Sequence, residues 1–358
     1  MIIPHLTYRI FAIFFLVSFA LTAQVDLSAV DSITQSQIDN RYFEGTVLLA
    51  DKGKVIYRKE QGLRDREAGI PIDGSTHYSI ASITKMVTAI ITLQLIEDDM
   101  FQLDDPLEKI LPEVEVATSD KITPHHLLLH ISGLPNEREG TYSKPIAPTE
   151  FVAMTLKDKK AIQKPGSFNY ANIDYVLLGL LIEKYTGMSW EDNVKERILE
   201  PLNMTETGFL KQSDYPDNFA WTYTLSANKE FIKDPSFAVE NFYAAACMYS
   251  TADDLLKLDQ GMHGEKLLSQ ESQDIMFTSY PEYNYTGYSV WTYSYPFVAS
   301  QPRIMERRGG IMGANVVLMR FLDLNRTIII LSNNSEFDPD SFGDRENFRE
   351  ALITVMSY

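Results

Sequence analysis

The stretch STHYSIASITKMVTAIITLQLIEDDM, residues 75–100, passes from a polar opening into a long apolar run. Ile83, Met86, Val87, Ile90 and Ile91 leave little room for a polar face, so the spacing predicts a largely buried helix over 83–98. Ser82 and Lys85 stand three apart at its start and therefore share one face. A serine there has an ordinary use as a cap for free N–H groups. A lysine among these neighbours does not, because a buried ammonium is costly unless it is paired or put to use. The chemical reading is a serine nucleophile beside a lysine base, since a serine hydroxyl needs an adjacent base to react. Lys85 would then act as a neutral amine. Bringing its pKa from about 10.4 to about 7 costs roughly 4–5 kcal/mol, and burial or a second cation pushes that way. Ser226 and Lys229 repeat the spacing in a polar turn with no apolar helix behind it, and that copy is set aside.

Outward from this helix, apolar residues at helical spacing over 31–43 predict a first helix, and alternation over 43–65 with a turn at 51–54 predicts a β-hairpin. Helices are expected over 83–98, 125–130, 148–156, 173–186 and 190–198. Strands are expected over 285–294, 303–310, 314–323 and 326–334, and a last helix over 345–357. This order predicts an α/β (α+β) fold: an antiparallel sheet flanked by the terminal helices, 24–81 with 247–358, and a mostly helical lobe, 82–246, with a cleft between them.

The 358 residues are 45% hydrophobic and 11% aromatic, enough for a substantial core and against disorder. A net charge of −17 disfavours nucleic acid and anionic membrane surfaces as partners. The opening MIIPHLTYRIFAIFFLVSFALTAQVD carries one Arg, then an apolar run over 10–23. It reads as a signal peptide, residues 1–23, with a retained anchor as the alternative. The protein is therefore expected to be exported, periplasmic or secreted, without stable membrane association once the signal is cleaved. Cys247, the single cysteine, sits among small apolar residues in YAAACMYST and reads as a packing thiol.

Two further elements could carry chemistry. In KPGSFNYANIDYVLLG, Tyr170 and Asn172 lie in a loop before a helix. They could supply a proton relay and an amide for a substrate carbonyl; the plainer reading is a packed tyrosine and a helix cap. In ERRGGIMGANVVL, a strand carries Arg307 and Arg308 into Gly309 and Gly310. Glycine there permits close approach of a ligand, while a bulged strand with solvated arginines fits as well. His126 and His130, four apart, have zinc-ligand spacing but no third ligand stands out.

Together, these elements resemble the serine β-lactamase and penicillin-binding protein superfamily, in the class C β-lactamase-related branch with its D-aminopeptidases, D,D-carboxypeptidases and esterases. The family's S-x-x-K, Y-x-N and K-T-G or H-x-G motifs fall in order on Ser82 with Lys85, Tyr170 with Asn172, and 307–309. The segments ITPHHLLLHISGLP, MYSTADDLLKL and 169–209 are also similar to the family, and the resemblance covers roughly residues 40 to 335. It implies Ser82 as the acylated nucleophile, Lys85 as its activator, Tyr170 as the proton relay and Asn172 as a substrate-orienting amide. It also implies an oxyanion hole from the backbone N–H groups of Ser82 and Gly310, with no metal and no cofactor. Two departures stand out: Arg307 and Arg308 replace the usual Lys or His and its small neighbour, and the spacing from Pro165–Gly166 to Tyr170 is one residue short. Arginine keeps the charge but gives up no proton near neutral pH, and it can grip a carboxylate through two N–H groups. The expected function is an exported serine hydrolase that cleaves a D-amino-acid peptide, a β-lactam or a small ester through an acyl-enzyme. The alternative is a binding protein of weak turnover for peptidoglycan-type or carboxylate ligands. The partner expected is a small-molecule or peptide substrate, with oligomeric state left open.

Overall fold

The computed structural model describes residues 24–138 and 140–358, so the expected signal segment lies outside the described residues. The elements that position the site are, in chain order, helix α1 (Leu27–Asp39), strands β1 (Gly45–Asp51) and β2 (Lys54–Gln61), and helices α2 (Thr84–Glu97), α3 (Asn172–Thr186) and α4 (Ala252–Met262). They continue with strands β3 (Trp291–Ser294), β4 (Arg303–Ile311), β5 (Ala314–Phe321) and β6 (Arg326–Ser332), and helix α5 (Phe348–Met356).

The six strands form one sheet in the order β3-β4-β5-β6-β1-β2, with every neighbouring pair antiparallel. The N-terminal hairpin thus completes a sheet begun by the C-terminal strands. β6 is central and buried along its whole length. That explains its unbroken RTIIILS run, since a strand covered on both faces need not alternate. β2 is an edge strand and stays half exposed.

Each face of the sheet has its own core. On one face Val47, Leu49, Val317, Met319, Ile328 and Ile330 pack with Val30 of α1 and Phe348, Leu352, Ile353 and Met356 of α5. On the other, Leu48, Met305, Val316, Leu318, Ile329 and Leu331 join the cluster built by α2, α3 and α4. Helix α2 is buried on nearly all sides, as its lack of a polar face requires. A three-stranded ribbon of Tyr78–Ser79, Met248–Ser250 and Gly208–Phe209 ties the chain just ahead of α2 to the segment before α4.

The first helix, expected over 31–43, runs over Leu27–Asp39, and two other expected elements change. The strand expected over 285–294 shortens to Trp291–Ser294 because Tyr285 and Ser289 adopt positive φ, at 59° and 66°, which a strand cannot hold. The helix expected over 190–198 is α-helical only through Val194, then widens to i→i+5 winding over Lys195–Leu199. The wider winding leads into Pro201, which has no N–H to continue a regular ladder. Among the described residues, no helix is long and apolar enough to cross a membrane.

Candidate active site

Ser82 lies in the single 3-10 turn Ala81–Ile83 that feeds α2, and no side-chain cap hydrogen bond closes either of the two helix starts there. The capping use of Ser82 is therefore not what the fold adopts. Ala81, just before it, holds φ at 44°. This is a strained value for a residue with a Cβ, and such strain gathers at functional turns.

Lys85, one turn on, is fully buried. Its Nζ donates to Ser82 Oγ at 3.1 Å, Asn172 Oδ1 at 2.8 Å and the backbone oxygen of Ala245 at 3.0 Å. Three acceptors match the three protons of an ammonium. Asn172 opens α3 without capping it. Its Nδ2 donates to Glu137 Oε1 at 2.8 Å, which fixes the amide with its oxygen toward Lys85. Tyr142 Oη donates to the same carboxylate oxygen at 2.5 Å.

Tyr170 completes the arrangement around the serine: its Oη donates to Ser82 Oγ at 2.8 Å. Arg307, almost wholly buried, reaches the same centre from β4. Its Nε donates to the backbone oxygen of Ser82 at 2.9 Å and its Nη2 to Tyr170 Oη at 2.5 Å. The electrostatics follow from this crowding of cations. Burial, aided by the Arg307 charge and opposed by Tyr170, brings Lys85 down to about 8. Burial alone would raise Tyr170, but the charges of Arg307 and Lys85 outweigh it and bring the phenol down to about 8 as well. An amine and a phenol that both titrate near neutrality flank one hydroxyl, which is what proton transfer from that hydroxyl requires.

The strand register separates the two arginines that the sequence left open. Arg307 points inward to Ser82 and Tyr170. Arg308 points to the rim, where it stacks over Trp291 at 4.7 Å and pairs with Asp340. Gly309 is required by close approach: a Cβ there would sit 2.7 Å from the backbone oxygen of Ile80 and 3.0 Å from Ser82 N. A cavity of about 360 Å³ opens above Ser82, lined by Tyr170, Trp291, Arg308, Gly309, Gly310 and Asp340 among others. The eight residues of the three motifs thus converge on or beside one cleft.

Around this cleft Glu137, Asp174 and Asp340 carried no local signal, and His130 carried only its spacing from His126. Glu137 and Asp340 are charged loop residues like many others. His130 and Asp174, 44 positions apart, meet in the buried layer behind Tyr170, with Nδ1 3.0 Å from Oδ2. Ser132 Oγ donates to Asp174 Oδ1 at 2.5 Å, and the Ala171 N–H donates to His130 Nδ1 at 3.3 Å. Burial holds the imidazole well below its usual range and pushes the carboxyl well above its own. Nδ1 of His130 is thus shared between the Asp174 carboxyl and the Ala171 N–H. His126 lies against Thr123 Oγ1 at 2.8 Å, on different partners from His130. Among the described residues, no cluster of three or more His, Cys, Asp or Glu could hold a metal ion. Cys247 is buried, and burial pushes its thiol up.

The Beta-lactamase family profile matches residues 30–353. Penicillin-binding protein 4* of Bacillus subtilis is 26% identical over 320 residues, 83% of this chain and 70% of that one. The octameric penicillin-binding protein homologue from Pyrococcus abyssi superposes with a TM-score of 0.78 at 27% identity, over 92% of this chain and 77% of that one. A D-stereospecific amidohydrolase from Streptomyces superposes with a TM-score of 0.75 at 25% identity, over 90% of this chain and 98% of that one. With a family profile that spans nearly the whole described chain, this protein belongs to the Beta-lactamase family and is a serine hydrolase.

Proposed function

We propose that the protein hydrolyses amide or ester bonds through an acyl-enzyme on Ser82. Ser82 Oγ attacks the carbonyl carbon and its proton passes to the Tyr170–Lys85 pair. The carbonyl oxygen, now anionic, is received by the backbone N–H groups of Ser82 and Gly310, at the positive start of the helical segment. The C–N or C–O bond then breaks, and Tyr170 Oη returns the proton to the departing nitrogen or oxygen. Water attacks the acyl-enzyme carbon, the same pair takes the water's proton, and the carboxylic acid leaves as Ser82 regains its hydrogen. Asn172 orients the bound substrate. Arg307 stays charged throughout and favours the phenolate form of Tyr170. The observation that supports this reading most is that one hydroxyl oxygen, Ser82 Oγ, contacts both Tyr170 Oη and Lys85 Nζ.

The substrates we propose are D-amino-acid peptides or amides, β-lactams or small esters, on the strength of the penicillin-binding and D-stereospecific relatives. We place the protein outside the cytoplasm because of the apolar run over 10–23. The test is covalent labelling with a fluorophosphonate and a fluorescent penicillin. The wild type takes up label and Ser82→Ala takes up none; equal labelling of both overturns the assignment of Ser82.

A further inference from the structure

Tyr170 lies in a stretch, residues 162–171, with no helix or strand of its own. Its phenol must nonetheless stay 2.8 Å from Ser82 Oγ for the proton transfers of the acyl-enzyme reading, on which this inference rests. Such a stretch has no hydrogen-bond ladder to hold it, so residues packed against it must fix that distance.

His130 meets the stretch on both sides of Tyr170. Its backbone oxygen accepts from the Asn169 N–H at 2.8 Å, and its Nδ1 accepts from the Ala171 N–H at 3.3 Å. The chain is thus tied one residue before and one residue after Tyr170, and planar peptides leave little play in between. Between these ties the imidazole lies against the phenol ring, with centroids 4.3 Å apart. Asn136 Nδ2 also donates to the Tyr170 oxygen, at 3.2 Å, but from an exposed side chain where water competes.

His130 is itself firmly held. It is buried, and its φ of 58° is a left-handed value just past the short helix Pro124–Leu128. Asp174 of α3, also buried, lies 3.0 Å from Nδ1, and Ser132 Oγ binds the other carboxyl oxygen. Nε2, in contrast, has no hydrogen-bond partner within the protein. Buried polar atoms are normally paired, so the ring is not placed to satisfy its own nitrogens. Its place is explained by what it supports.

We propose that His130 is a positioning residue for Tyr170: its carbonyl, its Nδ1 and its ring hold the phenol against Ser82 Oγ, so that the phenol's proton reaches the leaving group. A displaced phenol costs most where the departing oxygen most needs that proton. 4-Nitrophenolate leaves without one, whereas a benzyl alkoxide does not. Attack on the activated ester suffers less, because Lys85 Nζ touches Ser82 Oγ directly at 3.1 Å.

The experiment compares kcat/KM for 4-nitrophenyl, phenyl and benzyl acetate, with active protein counted by fluorophosphonate labelling run to completion. In His130→Ala the expected loss is about a hundredfold for the benzyl ester and less than about tenfold for the 4-nitrophenyl ester. His130→Asn tolerates positive φ and keeps an acceptor in place of Nδ1, so it falls between wild type and alanine. It carries the test if the alanine variant does not fold. A second readout is the ultraviolet titration of the phenol, taken as the difference between each protein and its Tyr170→Phe counterpart. The titratable groups that face this phenol are Lys85 of α2, Arg307 of β4, Tyr175 of α3 and His130 itself. The two cations hold it at about 8 in the wild type; moved away from them, it titrates nearer to about 10. An equal loss across the three esters, or an unmoved titration in a folded variant, overturns the positioning role. If the wild type turns over none of the esters, the titration alone decides on His130. Absence of Ser82 labelling as well overturns the acyl-enzyme reading.

Discussion

Arg307 Nη2 lies 2.5 Å from Tyr170 Oη, while Nε of the same guanidinium holds the backbone oxygen of Ser82 at 2.9 Å. One side chain from the sheet therefore fixes both the phenol and the turn that carries the hydroxyl. Its charge also lowers both groups that could take the serine proton. Arginine suits this place because it never gives up its own proton.

The first consequence is a pH profile. Lys85 and Tyr170 both titrate near 8, and the pair must lose one proton before it can accept that of Ser82. The acylation rate constant should rise with pH and level off above about 8. Arg307→Met removes a cation that lowers both groups, so its profile moves to higher pH, with a loss of roughly ten- to a hundredfold near neutrality. Glu137→Gln removes a negative charge that raises Lys85, so its profile moves the opposite way. Stopped-flow acylation between about pH 5 and about pH 10 reads both shifts; shifts of the same sign would contradict this electrostatic account.

Gly309→Ala should abolish activity with the protein still folded. The added methyl cannot fit 2.7 Å from the Ile80 oxygen, so β4 must retreat from the Ser82 turn. A loss of about a hundredfold or more in kcat follows from a displaced oxyanion site. At Gly310 an added Cβ meets only Asn315 Oδ1, at 3.3 Å, and Ala314 O, at 3.9 Å. Gly310→Ala therefore costs less than Gly309→Ala, and steady-state kinetics on the two variants gives the order.

Asp340 supplies Arg308 with a carboxylate of its own at the rim of the cleft. Asp340→Asn frees that guanidinium for a carboxylate on the substrate. Because Asp340 is 75% exposed, the gain is modest. KM for substrates with a carboxylate in the leaving group should fall roughly two- to fivefold, and for the matching amides it should hardly move. Equal changes for the two series would show that Arg308 does not touch that carboxylate.

The buried pair behind Tyr170 makes a stability prediction. If Asp174 is protonated, Asp174→Asn keeps both a donor toward His130 and an acceptor for Ser132, and the midpoint of urea unfolding at neutral pH hardly changes. Asp174→Ala leaves both partners unsatisfied and costs about 1–3 kcal/mol. A large loss in the asparagine variant would mean that a charged carboxylate occupies the site instead.

Sequence alone placed Ser82 and Lys85 on one face of a buried helix, and Tyr170 and Asn172 at the entry of another. Both inferences are local, because the spacing of a few residues on one element fixes their relation. The hairpin over β1 and β2 and the apolar runs of β5 and β6 were legible for the same reason. Only the tertiary structure chose Arg307 over Arg308 for the inner position, since a shift of one residue in strand register exchanges the two faces. It also brought Glu137 to Asn172, Asp340 to Arg308 and Asp174 to His130. Those partners are separated by 32 to 44 positions and lie on different elements. No periodicity records such contacts, because they exist only once α3, β4 and the loops beside them have packed around α2.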